Sequence, residues 1–394
     1  MKIKVNNIID IIKYNLISIV ILMNSLQFIL SNDFNIRFNM WIEYGFIIII
    51  FGISKFKIKS RKNLIILLIS ILGFLISKLL INNETLNYYI NQFELYALPI
   101  IIIGLLDIDF IKFIKVFFIY NIIMIILYMV MLILNKGQNV EDYMTFGYYA
   151  MFSAIYVIIY SYYNKHKFIL TLACITIPLI IINGNRGTII VFLTALILMI
   201  LTRKDIVKGL IFSILIIFII NNISNIAKSV LDFVTNNFEI RNSYSIRNFY
   251  DMLNSNDSED FLGGRYTIYE EAVTEIEQNL LTGIGIAKFQ DKYGYFPHNI
   301  FLDIYVTFGI ILGTIYLCYL LGIGVKLYKY SKENLYIQIL FVFLVANIMK
   351  LLLSKTFIYD PTIWLYIIIG NNIIEKMHME EMKNETTNNI YTNI

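Results

Sequence analysis

Residues 110–134 read FIKFIKVFFIYNIIMIILYMVMLIL. The run is longer than the roughly 20 apolar residues a helix needs to cross a bilayer. It also lacks the alternation of apolar and polar residues that marks a porin strand. It therefore reads as a membrane-spanning helix, and it decides the class of the whole chain. Of the 394 residues, 58% are hydrophobic and only 15% charged, with a mean hydropathy of +0.69, against about a quarter charged in soluble domains. The expectation is an all-α integral membrane protein. A net charge of +4 leaves no basic footprint for nucleic acid. Cys174 and Cys318 both fall in apolar runs far apart in sequence, which argues against a disulfide framework or a metal cluster. Met1–Asp10 precedes a hydrophobic run with no small-residue cleavage site, so the first helix is expected to be retained.

Working outward from 110–134, the pattern gives about twelve spans: 14–31, 40–54, 63–81, 92–107, 111–134, 144–163, 168–183, 187–202, 208–223, 299–324, 335–353 and 361–375. Basic residues fix their direction, because Lys- and Arg-rich hinges stay cytoplasmic. With the N-terminus inside, alternate hinges and the tail hold 20 of the 32 basic residues, among them Lys55, Lys57, Lys59, Arg61 and Lys62. Six fall on or beside the short outer hinges: Arg37, Lys78, Lys136, Arg186, Lys350 and Lys355. The expected organisation is a polytopic domain over 1–376 with both termini cytoplasmic, one long extracytoplasmic loop over 224–298, and a polar, disordered tail over 377–394. No 20–50-residue repeat or pair of inverted halves is apparent.

Within the long loop, Ile268, Ala272 and Ile276 recur every fourth residue, predicting an amphipathic helix near 265–279 with Arg265 in its first turn. Gly283 and Gly285 end it. Pro297 then delivers His298 to the mouth of the next span, where Asn299 is placed to cap that helix. Inside that span, Gly309 and Gly313 form a GxxxG that suggests close helix packing.

The residues suited to chemistry lie on the outer side. Arg186, in Asn183-Gly184-Asn185-Arg186-Gly187, is either a shaped site or a snorkelling anchor. Arg265, taken alone, reads as a solvated helix charge. His298 is one of three histidines, and an imidazole there is expected to titrate near neutrality and to take a proton from a hydroxyl. Lys350, near a span end, either snorkels or faces a polar cavity. Asp303 either orients His298, lines the same cavity or meets interfacial water. Asp107-Ile108-Asp109 is formally a D-x-D metal pattern, but it falls on the cytoplasmic side in a hinge. No Cys/His metal spacing, P-loop, G-x-G-x-x-G or G-x-S-x-G is present.

Four pieces together resemble the O-antigen ligase and O-antigen or capsular polysaccharide polymerase superfamily. They are Asn185-Arg186-Gly187, Gly264-Arg265 with Tyr269 and Ala272, Leu281-Thr282-Gly283-Ile284-Gly285 with Phe289, and His298-Asn299-Ile300-Phe301-Leu302-Asp303 followed by Gly309 and Gly313. Tyr269 stands where the family often has tryptophan. The resemblance covers about residues 180–320. It implies a C-type glycosyltransferase architecture in the cell membrane and transfer of a saccharide from undecaprenyl diphosphate to an acceptor glycan hydroxyl. It further implies an inverting reaction without a metal or other cofactor. By that resemblance Arg186, Arg265 and His298 are catalytic, and Lys350, Asp303 and Tyr269 contact substrate. A polymerase is the preferred reading, with a chain-length regulator or flippase as a conceivable partner. The alternatives are ligase-type transfer and a lipid-linked oligosaccharide flippase. The flippase is disfavoured because the bilayer midplane is almost uncharged while the polar residues gather in one outer loop.

Overall fold

The structure, a computed structural model, describes residues 2–33, 40–80, 83–134, 143–183, 186–202 and 265–392. Among these residues every element is helical. The helices are α1 (Lys2–Asp33), α2 (Met40–Ile53), α3 (Arg61–Leu80), α4 (Glu84–Gln92), α5 (Leu98–Ile103), α6 (Phe110–Leu134) and α7 (Tyr143–Tyr163). They continue with α8 (Lys167–Asn183), α9 (Arg186–Leu201), α10 (Arg265–Gln278), α11 (Lys288–Tyr293), α12 (Ile300–Ser331), α13 (Leu335–Ile348) and α14 (Pro361–Thr392). Among the described residues six segments are long and apolar enough to cross a membrane: Ile8–Ser31, Arg61–Leu79, Phe110–Leu132, Met144–Tyr163, Ile300–Ser331 and Leu335–Leu352. Trp41–Ile53, Lys167–Ile177 and Gly187–Leu201 are shorter apolar helices. The chain is thus an all-α integral membrane protein. The expected span at 208–223 and the first part of the long loop lie outside the described residues.

In lipid, helix association rests on packing rather than on removal of apolar surface from water. The centre is built accordingly from large interlocked rings. Phe117 of α6, Tyr156 of α7 and Phe343 of α13 meet edge to face, with centroids 4.7–6.0 Å apart. All three are buried. By contrast α3 turns Leu68, Ile69, Leu72, Leu75 and Leu79 outward, the face a bilayer would cover.

The polar hinges sort into two ends. At one, Lys59 pairs with Asp107 at 3.0 Å, Lys13 donates to the Asp107 carbonyl, and the Asn63 amide donates to the Gly104 carbonyl. Asp109 caps α6 by accepting from the Ile111 and Lys112 N–H groups. The two carboxylates of the D-x-D therefore serve as an ion-pair partner and a helix cap. The other end carries α10, α11 and the turn between α13 and α14.

Two expected single spans are broken helices. The run expected at 92–107 starts earlier, at Glu84, passes through a π-helical turn at Phe93–Ala97 and ends as α5, with Pro99 in its first turn. α12 is interrupted at Gly309, with φ 69° and ψ −178°, a region open essentially to glycine alone. Backbone groups freed by this break would be unsatisfied in lipid, but the chain at 280–285 pairs with them. Ile284 N–H donates to Val306 O (2.8 Å), Gly285 N–H to Thr307 O (3.1 Å), and Ile310 N–H to Leu280 O (2.7 Å). The Gly309–Gly313 pattern is therefore not a helix-packing stripe at Gly309. A Cβ on Gly309 would strike the Leu281 carbonyl, and one on Gly283 (φ 64°) would strike the Thr307 carbonyl. α14 runs on to Thr392, through most of the segment read from sequence as a disordered tail.

Candidate active site

The site grows out of the broken helix. α10 forms where the fourfold spacing placed it. Its Ile268, Ala272 and Ile276 pack with Phe289 on Leu302 and Val306 of the first half of α12. Polar contacts flank the same packed face. Tyr295 donates to Glu271, and both Tyr293 and Lys292 donate to Glu275. Lys292, first among these contacts, holds the Glu275 carboxyl below its usual range.

From there the chain turns through several left-handed residues: Gly285, Ala287, Gly294 and finally His298 at φ 55°. Histidine tolerates that region better than most side chains, yet it is uncommon enough to mark a constrained position. Asn299 caps α12, its carbonyl oxygen accepting from Phe301 N–H at 2.9 Å and Leu302 N–H at 3.4 Å. His298 is thereby held just outside the positive end of a helix. Its ring stands 4.3 Å from that of Phe296, and its Nδ1 is buried without a protein hydrogen-bond partner. Burial, and then the Arg265 cation, push its pKa down to about 4. This corrects the expectation of titration near neutrality: the imidazole is neutral at pH 7. The structure thus brings His298 and Arg265 together. Tyr269, half-buried, lies one turn along the same face of α10 as Arg265.

Lys350 faces inward, only 3% exposed, and its Nζ meets Asp360 Oδ2 at 2.8 Å. Each charge sits at the helix end that favours it. Lys350 closes α13 in a 3-10 turn (Met349–Leu352), and Asp360 opens α14 ahead of Pro361, accepting from the Thr362 N–H at 2.9 Å. Lys350 borders a cavity of about 20 Å³ also lined by Asn24, Ser25, Tyr148 and Thr362, room for about one water rather than a diphosphate. Sequence reasoning missed Asp360, although Asp-Pro-Thr after an apolar run is an N-cap signal. Lys355 (φ 62°) is half-buried against the Tyr149 ring, 5.3 Å from its centroid.

Of Arg186 only the backbone, the first residue of α9, belongs to the described part. Its neighbour Gly187 touches Tyr148 so closely that a Cβ would strike the phenol. The Tyr148 ring in turn lies 5.6 Å from Lys350 Nζ. The opening turn of α9 therefore abuts the ion pair. Asp303 is buried and does not reach His298. Its carboxyl is hydrogen-bonded to Thr356 and accepts from Phe357 N–H at 3.2 Å. It links the first turn of α12, which follows His298, to the chain that precedes Asp360.

No curated protein and no solved structure matches the chain. Residues 168–317 match the profile of the O-antigen ligase family (Wzy_C), less than half the chain but a stretch that holds Arg186, Arg265, Tyr269, His298 and Asp303. That match places this part of the chain with the O-antigen ligase and polymerase superfamily.

Proposed function

We propose that the chain is a polysaccharide polymerase of the cell membrane, transferring an undecaprenyl-diphosphate-linked saccharide to an acceptor sugar hydroxyl on the outer face. The observation that carries this reading is a buried His298 within electrostatic reach of the Arg265 cation at the mouth of a broken helix, inside the family match. A neutral imidazole takes the proton of the acceptor hydroxyl as its oxygen attacks the anomeric carbon. The bond from that carbon to the diphosphate oxygen breaks on the opposite face, which inverts the configuration. Arg265, and Arg186 from the start of α9, hold the departing diphosphate with forked donors and no metal. Lys350, already paired with Asp360, supports the floor beneath them rather than offering a free charge. Tyr269 lines the donor side. In this reading twelve spans leave both termini cytoplasmic and the loop outside, where a flippase delivers the donor.

Ligase-type transfer is the second reading, favoured by the description of the matching family. The glycan profile of cells lacking the chain separates the two. A single repeat unit on its carrier supports the polymerase. Unattached full-length polymer supports the ligase, and absence of any outer glycan contradicts both.

A further inference from the structure

The break at Gly309 sets the first nine residues of α12, Ile300 to Phe308, apart from the rest of its helix. His298 rides on that short segment, so its position needs an anchor other than the body of α12. α10 and the chain at 280–285 supply one on the loop side. Neither ties the segment to the turn between α13 and α14, where Lys350 and Asp360 lie.

We propose that Asp303 is a positioning residue that latches the Ile300–Phe308 half-helix, and with it His298, to the turn 354–360. The carboxyl is 4% exposed and meets two protein groups, the Phe357 N–H at 3.2 Å and the Thr356 side chain. Thr356 is fully buried and also hydrogen-bonds Tyr89, itself 2% exposed on α4. α4 also meets α11, because Thr85 donates to Asp291 at 2.9 Å. The latch thus joins α12, the turn and α4, and two of these elements frame the candidate site. Among the described residues Asp303 is thus enclosed by protein. This replaces the substrate-contacting role that the resemblance implied for it, and it rests on His298 being the reacting base.

The geometry also says what the latch requires. An amide in place of the carboxyl still accepts from Phe357 N–H and can donate to the Thr356 oxygen, so shape and hydrogen bonding matter more than charge. A side chain without polar atoms leaves the Phe357 N–H buried and unpaired, while the Thr356 hydroxyl keeps its contacts with Tyr89 and the Ile358 N–H.

The test compares Asp303→Asn and Asp303→Ala in the full-length protein reconstituted in lipid. Amide hydrogen exchange over 299–308 is read beside 310–331 of the same helix. In Asp303→Ala, exchange in 299–308 should rise roughly tenfold, the scale of a lost buried hydrogen bond, with 310–331 unchanged. Asp303→Asn should match the unsubstituted protein. Transfer assays should show kcat falling in Asp303→Ala while KM for the lipid-linked donor holds, with rescue by Asn. Unchanged exchange in Asp303→Ala, or an equal loss in both variants, overturns the latch. Full transfer by a His298→Ala protein would instead overturn the assignment of the base and leave the exchange result standing.

Discussion

Replacing Lys350 by methionine removes one half of a pair whose other half cannot reach water. Lys350 is 3% exposed and Asp360 fully enclosed, with 2.8 Å between the charged atoms. The variant leaves a carboxyl whose remaining hydrogen-bond partners are the Thr362 N–H and hydroxyl, with the Lys355 charge acting on it from farther off. Stranding one member of a buried pair costs about 3–5 kcal/mol. The helix N-terminus behind Asp360 offsets a fraction of this, about 0.3–1 kcal/mol. The net destabilisation should therefore be about 2–5 kcal/mol for Lys350→Met. Adding Asp360→Asn removes the stranded charge, keeps an acceptor for Thr362, and should recover most of the loss. Reversible unfolding in mixed micelles, followed for the single and double variants, measures both values. A Lys350→Met protein as stable as the unsubstituted one would refute the pairing. So would a double variant no more stable than the single, because the cost would then lie in lost packing.

The pH dependence of transfer carries a definite sign. His298 must be neutral to take a proton, and a pKa of about 4 keeps it so as pH falls from 7 to about 5, where an ordinary histidine near 6.5 would already be charged. The acid limb of kcat/KM should accordingly lie below about pH 5, and in Arg265→Gln, with the smaller of the two depressing causes removed, the acid limb of the residual rate should move upward while staying below the ordinary histidine range. Arg265→Lys should lower kcat at least tenfold, since an ammonium lacks the fork for a diphosphate, and a rate within twofold would remove bidentate holding. Gly309→Ala should destabilise the protein by about 1–3 kcal/mol from backbone strain alone, with thermal unfolding as the readout and an unshifted transition as the contrary result.

What the sequence made legible followed from periodicity. Ile268, Ala272 and Ile276 marked the buried face of α10 because a surface helix shows its packing in its spacing. Asn299 was recognisable as a cap for the same local reason. The break in α12 was hidden, since the residues on both sides of Gly309 are apolar and a glycine there reads equally as a packing contact. Only the pairing with 280–285, about 25 residues away, makes the interruption tolerable. Asp360 escaped for a related reason: its partner Lys350 is ten residues distant across a turn whose shape no local pattern specifies. The lowered pKa of His298 depends on enclosure and on Arg265, brought beside it by the folded loop.

The central claim is that His298 takes the acceptor proton during transfer from a lipid diphosphate. Its most direct test is elongation of purified undecaprenyl-diphosphate oligosaccharide by the reconstituted protein and by its His298→Ala variant, with products separated by length. The account predicts a ladder of longer lipid-linked glycans from the unsubstituted protein and only the starting unit from the variant. A variant that builds the same ladder at the same rate would contradict it.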